Sequence, residues 1–302
     1  MSDSVGTGRA WLTFAAVAIL WGLPYLWIKI VVEEGVPPAF LAWVRIVLGG
    51  TVLLLLAWRA GALPALRGRG RWLAIFAVVE LAIPFPLIAA GEQHVTSSLA
   101  AILIASAPLF VALLSLRFDA SERPDRRQMG GLILGLAGVA LLVGIDVAGR
   151  PDELLGAAMV LAASFCYAVA PMVFKRHLAD LDHRASMGAA LAIAAVALAP
   201  FAVIDPPSAM PSAKALAALA GLGLFCTAAA LALWGALIAQ MGAGRALVVT
   251  YVNPVVAVAL GMLILGERPG LGSVAGLVLI LAGSWLATAR PANRLDAGAA
   301  PA

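Results

Sequence analysis

The same stretch of chain is written twice. Residues 94–112 and 240–258 align at a constant spacing of 146, which sets Pro108 on Pro254. After a one-residue slip, Glu122-Arg123-Pro124 falls on Glu267-Arg268-Pro269, and Gly131, Leu132 and Gly138 fall on Gly276, Leu277 and Gly283. Near the start of each copy the spacing of 146 carries Trp21 onto Tyr167 and Lys29 onto Lys175. A chain duplicated in this way folds as two copies of one unit. When both copies are strongly apolar, the pattern is that of a membrane carrier built from repeats.

The apolar character is extreme. Hydrophobic residues make up 63% of the chain and charged residues 12%, against roughly 25% charged in soluble domains. A helix needs about 20 apolar residues to cross a bilayer core. Ten stretches qualify: 11–32, 36–58, 72–91, 95–116, 129–145, 154–174, 185–204, 215–241, 246–266 and 270–289. The first run has no small-residue cleavage site after it and is read as a retained span. The net charge of +4 does not point to nucleic acid, because the basic residues sit in short loops. Cys166 and Cys226 lie inside apolar runs and read as packing residues.

Lysine and arginine are distributed unevenly between the two sets of loops. With the N-terminus in the cytoplasm, 15 of them fall inside and three outside (Arg150, Lys214 and Arg268). Basic residues favour the cytoplasmic side, so both chain ends are expected there. An odd number of spans in each half inserts the second half upside down. Residues 9–150 are therefore expected to form one five-helix repeat and 151–290 its inverted mate, with 291–302 as a short cytoplasmic tail. The expected fold is all-α: ten transmembrane helices as two inverted five-helix repeats around a central cavity. Such a frame implies alternating access.

Three charges lie within spans, Lys29, Arg45 and Glu80, all in the first half. Each costs roughly 2.5–3.5 kcal/mol at a helix centre. Arg45 and Glu80 are each roughly 12–14 Å deep, from opposite faces, at 1.5 Å per residue. They are candidates for one of two roles. Glu80 is a proton or substrate-amine site with Arg45 binding a carboxylate or tuning Glu80, or the two form a permanent ion pair that ties helices two and three together. Lys29 has Glu33 four residues on, which fits snorkelling with a local ion pair.

Trp21 and Tyr25 share a helix face with Lys29, and Tyr167 with Pro171 repeats that face in the second half. These aromatic residues are expected to line the cavity, joined by Trp234, Tyr251 and Asn253; packing against neighbours is the alternative. Prolines 24, 84, 86, 108, 171 and 254 fall within spans, where breaks are tolerated if freed carbonyls face protein or a wet cavity. Pro108 and Pro254 read as bends in symmetry-related cavity helices. Pro84 frees the carbonyl of Glu80. Gly131, Gly135 and Gly138, with Gly272, Gly276 and Gly283, allow close helix approach, read as internal packing ahead of dimerisation. The hairpin tips 91–94 and 241–245 are repeat mates and candidate gates. No P-loop, dinucleotide fingerprint or H-E-x-x-H stands in the sequence. His94, His177 and His183 are too dispersed for a metal site, so neither metal nor cofactor is expected.

The residues also resemble a known family. Leu222-Gly-Leu-Phe-Cys226, Tyr251-Val-Asn-Pro-Val255, Leu265-Gly-Glu-Arg-Pro269 and Leu281-Ala-Gly283 in the second half are similar to the EamA-type repeat of the drug/metabolite transporter superfamily. Leu20-Trp-Gly22, Trp43-Val-Arg45-Ile46 and Ser106-Ala-Pro108 in the first half agree. The resemblance implies a ten-helix exporter or permease with helices five and ten standing outside the cavity as scaffold. By pattern it points to exporters of amino acids, aromatic ones included. The chain departs from a symmetric pattern where Arg45 falls on Leu191.

The function expected is a secondary transporter of the inner (plasma) membrane that exports small metabolites, foremost neutral or aromatic amino acids. Its partners are then a small-molecule substrate and the lipid bilayer, with the chain a monomer or, alternatively, a homodimer. A proton-coupled exporter of drugs or other metabolites is the alternative. From other classes stand a non-transporting membrane receptor or assembly protein, and a membrane enzyme, which would need a catalytic cluster the sequence lacks. Sugar-phosphate carriage is disfavoured because dianions want several cavity cations.

Overall fold

The computed structural model describes residues 2–118 and 125–288. The Glu122-Arg123-Pro124 turn and the 291–302 tail lie outside them. The described backbone is helical, without strands. Ten helices organise it: α1 (Ser2–Glu33), α2 (Pro38–Arg59), α3 (Gly70–Glu92), α4 (Ser97–Arg117), α5 (Arg126–Val147), α6 (Pro151–His177), α7 (His183–Ile204), α8 (Ala213–Met241), α9 (Val249–Ile264) and α10 (Leu271–Thr288). Among the described residues nine are long and apolar enough to cross a bilayer. Side chains such as Ile204, Leu263 and Leu271 are at least 80% exposed, an outer surface suited to hydrocarbon. The protein is an all-helical, multi-span membrane protein.

The remaining helix, α9, has only 16 residues, shorter than the expected span 246–266. A turn at Leu247–Val248 delays its start, with the Thr250 N–H donating to the Leu247 carbonyl at 3.0 Å. Gly266, at φ +68°, ends it by letting the Glu267 N–H return to the Gly261 carbonyl at 3.1 Å. Only a residue without a Cβ takes that conformation at no steric cost.

Helix pairing follows the duplication. α1 packs on α8 and α9, and its mate α6 packs on α3 and α4; α2 packs on α7, and α5 on α10. Exchanging the halves maps this set of contacts onto itself. Small residues permit the closest crossings. A Cβ on Gly131 would lie 2.5 Å from that of Leu286, and one on Gly138 would lie 2.8 Å from that of Leu279. The glycine spacings of α5 and α10 thus serve packing within the chain.

Helix interruptions are less symmetric than the prolines. α4 breaks at Ala105–Ser106, just before Pro108, whereas α9 runs unbroken through Pro254. The two prolines thus differ in that only Pro108 follows an interruption, while Pro254 lies inside a continuous helix. The Ile104 carbonyl freed by Pro108 accepts from Ser164 Oγ at 3.3 Å, and Ser106 Oγ lies 3.0 Å from the same hydroxyl. Serine partners stabilise the break at α4. A second kind of interruption does repeat: π-helical turns at Val78–Ala82 in α3 and Leu224–Ala229 in α8 stand 146 residues apart. Pro84 accounts for the first by removing a donor. In α8 the mate of Pro84 is Ala230, and Thr227 Oγ1 donates to the Leu222 carbonyl at 2.8 Å.

Candidate functional site

The two halves enclose a cavity of about 830 Å³, within the usual size range for small-molecule pockets. At one end it is lined by Arg245, Leu247 and Val248, all exposed. At the other it stops against Ile28, Ile88 and Ala101, each no more than 4% exposed. The cavity therefore opens at the α8–α9 connection and is closed beneath the α3–α4 hairpin.

Of the residues singled out in sequence, Trp21, Tyr25, Arg45, Glu80, Tyr167, Tyr251 and Asn253 lie on this wall, as do Pro24, Pro108, Pro171 and Pro254. Trp234 does not. Its ring packs behind Trp21, with centroids 4.9 Å apart, so it supports the wall from outside. Pro84 is buried at the π-helical turn and is likewise absent from the lining. α10 departs from the scaffold role, because Trp285 and Thr288 reach the cavity near its mouth.

Arg45 and Glu80 share the cavity without meeting. No ion pair links them among the described residues. Equal depth fixes height along the membrane normal but leaves helix azimuth open, so the expected pairing does not follow from it. Arg45 instead crosses to the other repeat: its Nε donates to Thr227 Oγ1 at 2.9 Å, and its guanidinium carbon lies 4.0 Å from the Phe85 ring centroid. Cation–π contact and one neutral hydrogen bond hold the group in place. Its terminal amino groups form no protein hydrogen bond among the described residues. Glu80, on the α3 π-helical turn, is half-buried and has no protein hydrogen bond or ion pair among them either. A π-helical turn rotates the side chains that follow it and often accompanies functional positions.

The walls between these charges are aromatic. Tyr167 lies within electrostatic reach of both Glu80 and Arg45, and Tyr25 within reach of Arg45. Asn253 contributes a buried Oδ1 with no hydrogen-bond partner among the described residues. Tyr251 is anchored, its hydroxyl 2.6 Å from Thr288 Oγ1. No cluster of three or more metal-ligating side chains occurs among the described residues.

The closed end holds residues whose importance the sequence hid. Lys29 Nζ donates to the carbonyls of Glu92 (2.8 Å) and Val95 (3.1 Å), and Glu33 lies 3.6 Å away. Lys29 is thus more than a snorkelling cation. Glu267, following α9, accepts from the N–H groups of Ser97 (2.8 Å) and Ser98 (2.9 Å) and from Ser98 Oγ. Glu92 itself is wholly buried. Its position at a hairpin tip gave no hint of burial, since the sequence places it just past an apolar run.

Two inverted bundles around a cavity open at one end define a membrane carrier. The EamA-like transporter family model matches residues 8–144 and 154–289, and the chain belongs to that family. It is 31% identical over 287 residues to an Escherichia coli K12 protein described as an uncharacterized inner membrane transporter, covering 91% of this chain and 92% of that one. It is 26% identical over 283 residues to a Salmonella typhimurium protein described as a probable amino-acid metabolite efflux pump, covering 89% and 91%. A crystal structure 21% identical in sequence superposes with a TM-score of 0.66 over 93% of this chain and 97% of that one. That likeness concerns the fold.

Proposed function

We propose that this transporter exports zwitterionic small metabolites, neutral and aromatic amino acids foremost, by alternating access between its two repeats. One observation carries the reading: Arg45 and Glu80 line one cavity, and among the described residues neither has an ion-pair partner. A substrate bearing both a carboxylate and an ammonium would complete both. The carboxylate would bridge to the guanidinium and the ammonium would meet the Glu80 carboxylate, each a charge-assisted bond stronger than a neutral one. Trp21, Tyr25 and Tyr167 would take the side chain. Asn253 Oδ1 would accept from a remaining N–H. The amino-acid efflux pump of Salmonella at 26% identity supports the class of substrate.

In this reading residues 9–150 and 151–290 are the two units that exchange conformations. Both termini are cytoplasmic, so the mouth at the α8–α9 connection faces the cytoplasm and the conformation is the one that loads cargo for export. Glu80 also serves as a proton site when no cargo ammonium occupies it. The test is counterflow in proteoliposomes with labelled amino acids, sugars and cationic drugs, with and without a pH gradient. Amino-acid counterflow is the expected outcome, and Glu80→Gln should abolish pH-driven accumulation. Counterflow of sugars or drugs with none of amino acids would overturn the reading.

A further inference from the structure

The closed end contains a buried acid that the cavity does not use. Glu92 is 0% exposed, and neither of its carboxyl oxygens has a hydrogen-bond partner among the described residues. Ser97 Oγ beside the hairpin is also buried and has no hydrogen-bond partner among the described residues. The titratable groups facing Glu92 are Lys29, Glu33 and Tyr25 from α1, Arg45 from α2 and Glu267 after α9. None of them bonds to its carboxyl. The Lys29 ammonium is engaged by two backbone carbonyls at 2.8 and 3.1 Å. Arg45 is held by Thr227 and Phe85. The positive charges of Lys29 and Arg45 favour an ionised Glu92, while Glu267 and Glu33 oppose it, so the surrounding charges work in both directions and burial without a hydrogen bond decides.

An ionised carboxylate so deeply buried, with no hydrogen bond among the described residues, is strongly disfavoured. A neutral carboxylic acid costs far less. The closure around it joins both repeats. Lys29 ties α1 to the α3–α4 hairpin, Glu267 ties the end of α9 to the start of α4, and Gly91 meets Gly156 where α3 and α6 cross. Opening the cavity at this end would part these contacts and admit water to Glu92.

We propose that Glu92 is a proton-binding gate residue, which holds a proton while this end is closed and releases it to water when the end opens. The closed form then binds one proton more than the open form, so raising the pH favours opening. The proton leaves and returns on the same side of the membrane. The device therefore gates transport and does not power it, which separates it from a coupling proton at Glu80. The repeat mate of Glu92 is Ile238, so the other end has no equivalent.

Substrate-free accessibility tests this directly. In full-length protein in nanodiscs, with Cys166 and Cys226 replaced by Ala, Val95→Cys places a thiol at a position now 3% exposed. Its maleimide labelling rate at each pH is divided by that of the exposed Gln93→Cys, which removes the intrinsic pH dependence of thiol reactivity. The normalised rate should rise with pH, by up to about tenfold per unit for a single linked proton. Glu92→Gln should hold it low and flat, and Glu92→Asp, which keeps the carboxyl, should restore a rise. A flat profile with Glu92 present overturns the proposal, as does a rise that persists unchanged in Glu92→Gln. Because no cargo is involved, failure here leaves the amino-acid reading intact, and failure of that reading leaves this one intact.

Discussion

α3 and α8 occupy equivalent places in the two repeats, and both carry a π-helical turn at the same register. At the cavity face they part company. α3 presents Glu80, and α8 presents Cys226 and Thr227. α2 carries Arg45, and its mate α7 carries Leu191 in the same register. The frame has kept its duplication, while the charges deep in the wall, away from Arg245 at the mouth, have concentrated in one copy. Arg45 then reaches across to Thr227, so the second repeat supplies the seat for a charge of the first. On the function proposed above, a symmetric scaffold would let the halves exchange conformations, and an asymmetric lining would let one cavity recognise a molecule with two different ends.

The comparison can be broken most severely at Arg45. Arg45→Ala should lower amino-acid binding by about 2–5 kcal/mol, the usual effect of truncating one partner of a buried charge pair, measured by counterflow or calorimetry. Normal counterflow would mean that the concentration of charge in the first repeat has no part in recognition. The frame should fail separately from the chemistry. Gly138→Leu drives a side chain into Leu279 of α10 and should cost about 1–3 kcal/mol by overpacking, seen as a lower detergent melting temperature. Gly276→Leu on the facing helix, against Leu142, should cost a similar amount if the two repeats contribute equally.

Thr227→Val keeps the shape of α8 and removes the acceptor for Arg45. It should weaken binding by about 1.5–3 kcal/mol at most, with Thr227→Ser close to wild type in the same assay. The smallest effect belongs to the loops. Asp182 caps α7, accepting from the Arg184 and Ala185 N–H groups at 2.9 and 3.1 Å. Its hydrogen bonds with the Arg184 side chain hold its carboxyl below the usual aspartate range. The stabilisation is present above the unfolded aspartate value and lost as pH falls through the lower, folded one. Asp182→Ala should cost about 1 kcal/mol near neutrality, with the difference from wild type vanishing in acid; a difference that grows in acid would refute this assignment.

Much of the frame was legible because a duplication and ten apolar runs leave few folds open. The seven wall residues were legible too, since aromatic, amide and charged side chains at mid-membrane depth have few places to go. What stayed hidden depends on azimuth and on tertiary contact. Arg45 and Glu80 share a depth yet face different neighbours, and Trp234 sits one layer behind Trp21. The π-helical turn of α8 has no proline to announce it. Glu92 looks like an exposed hairpin residue until α1, α6 and the Glu267 turn cover it.

The most direct measurement is competition against labelled tryptophan counterflow by three unlabelled relatives of equal ring size: tryptophan itself, its decarboxylated amine and its deaminated acid. The account predicts that tryptophan competes and that each analogue, lacking the partner for Arg45 or for Glu80, competes at least about tenfold more weakly, the effect of losing 1.4 kcal/mol. Equal competition by either analogue would contradict recognition of both charges in one cavity.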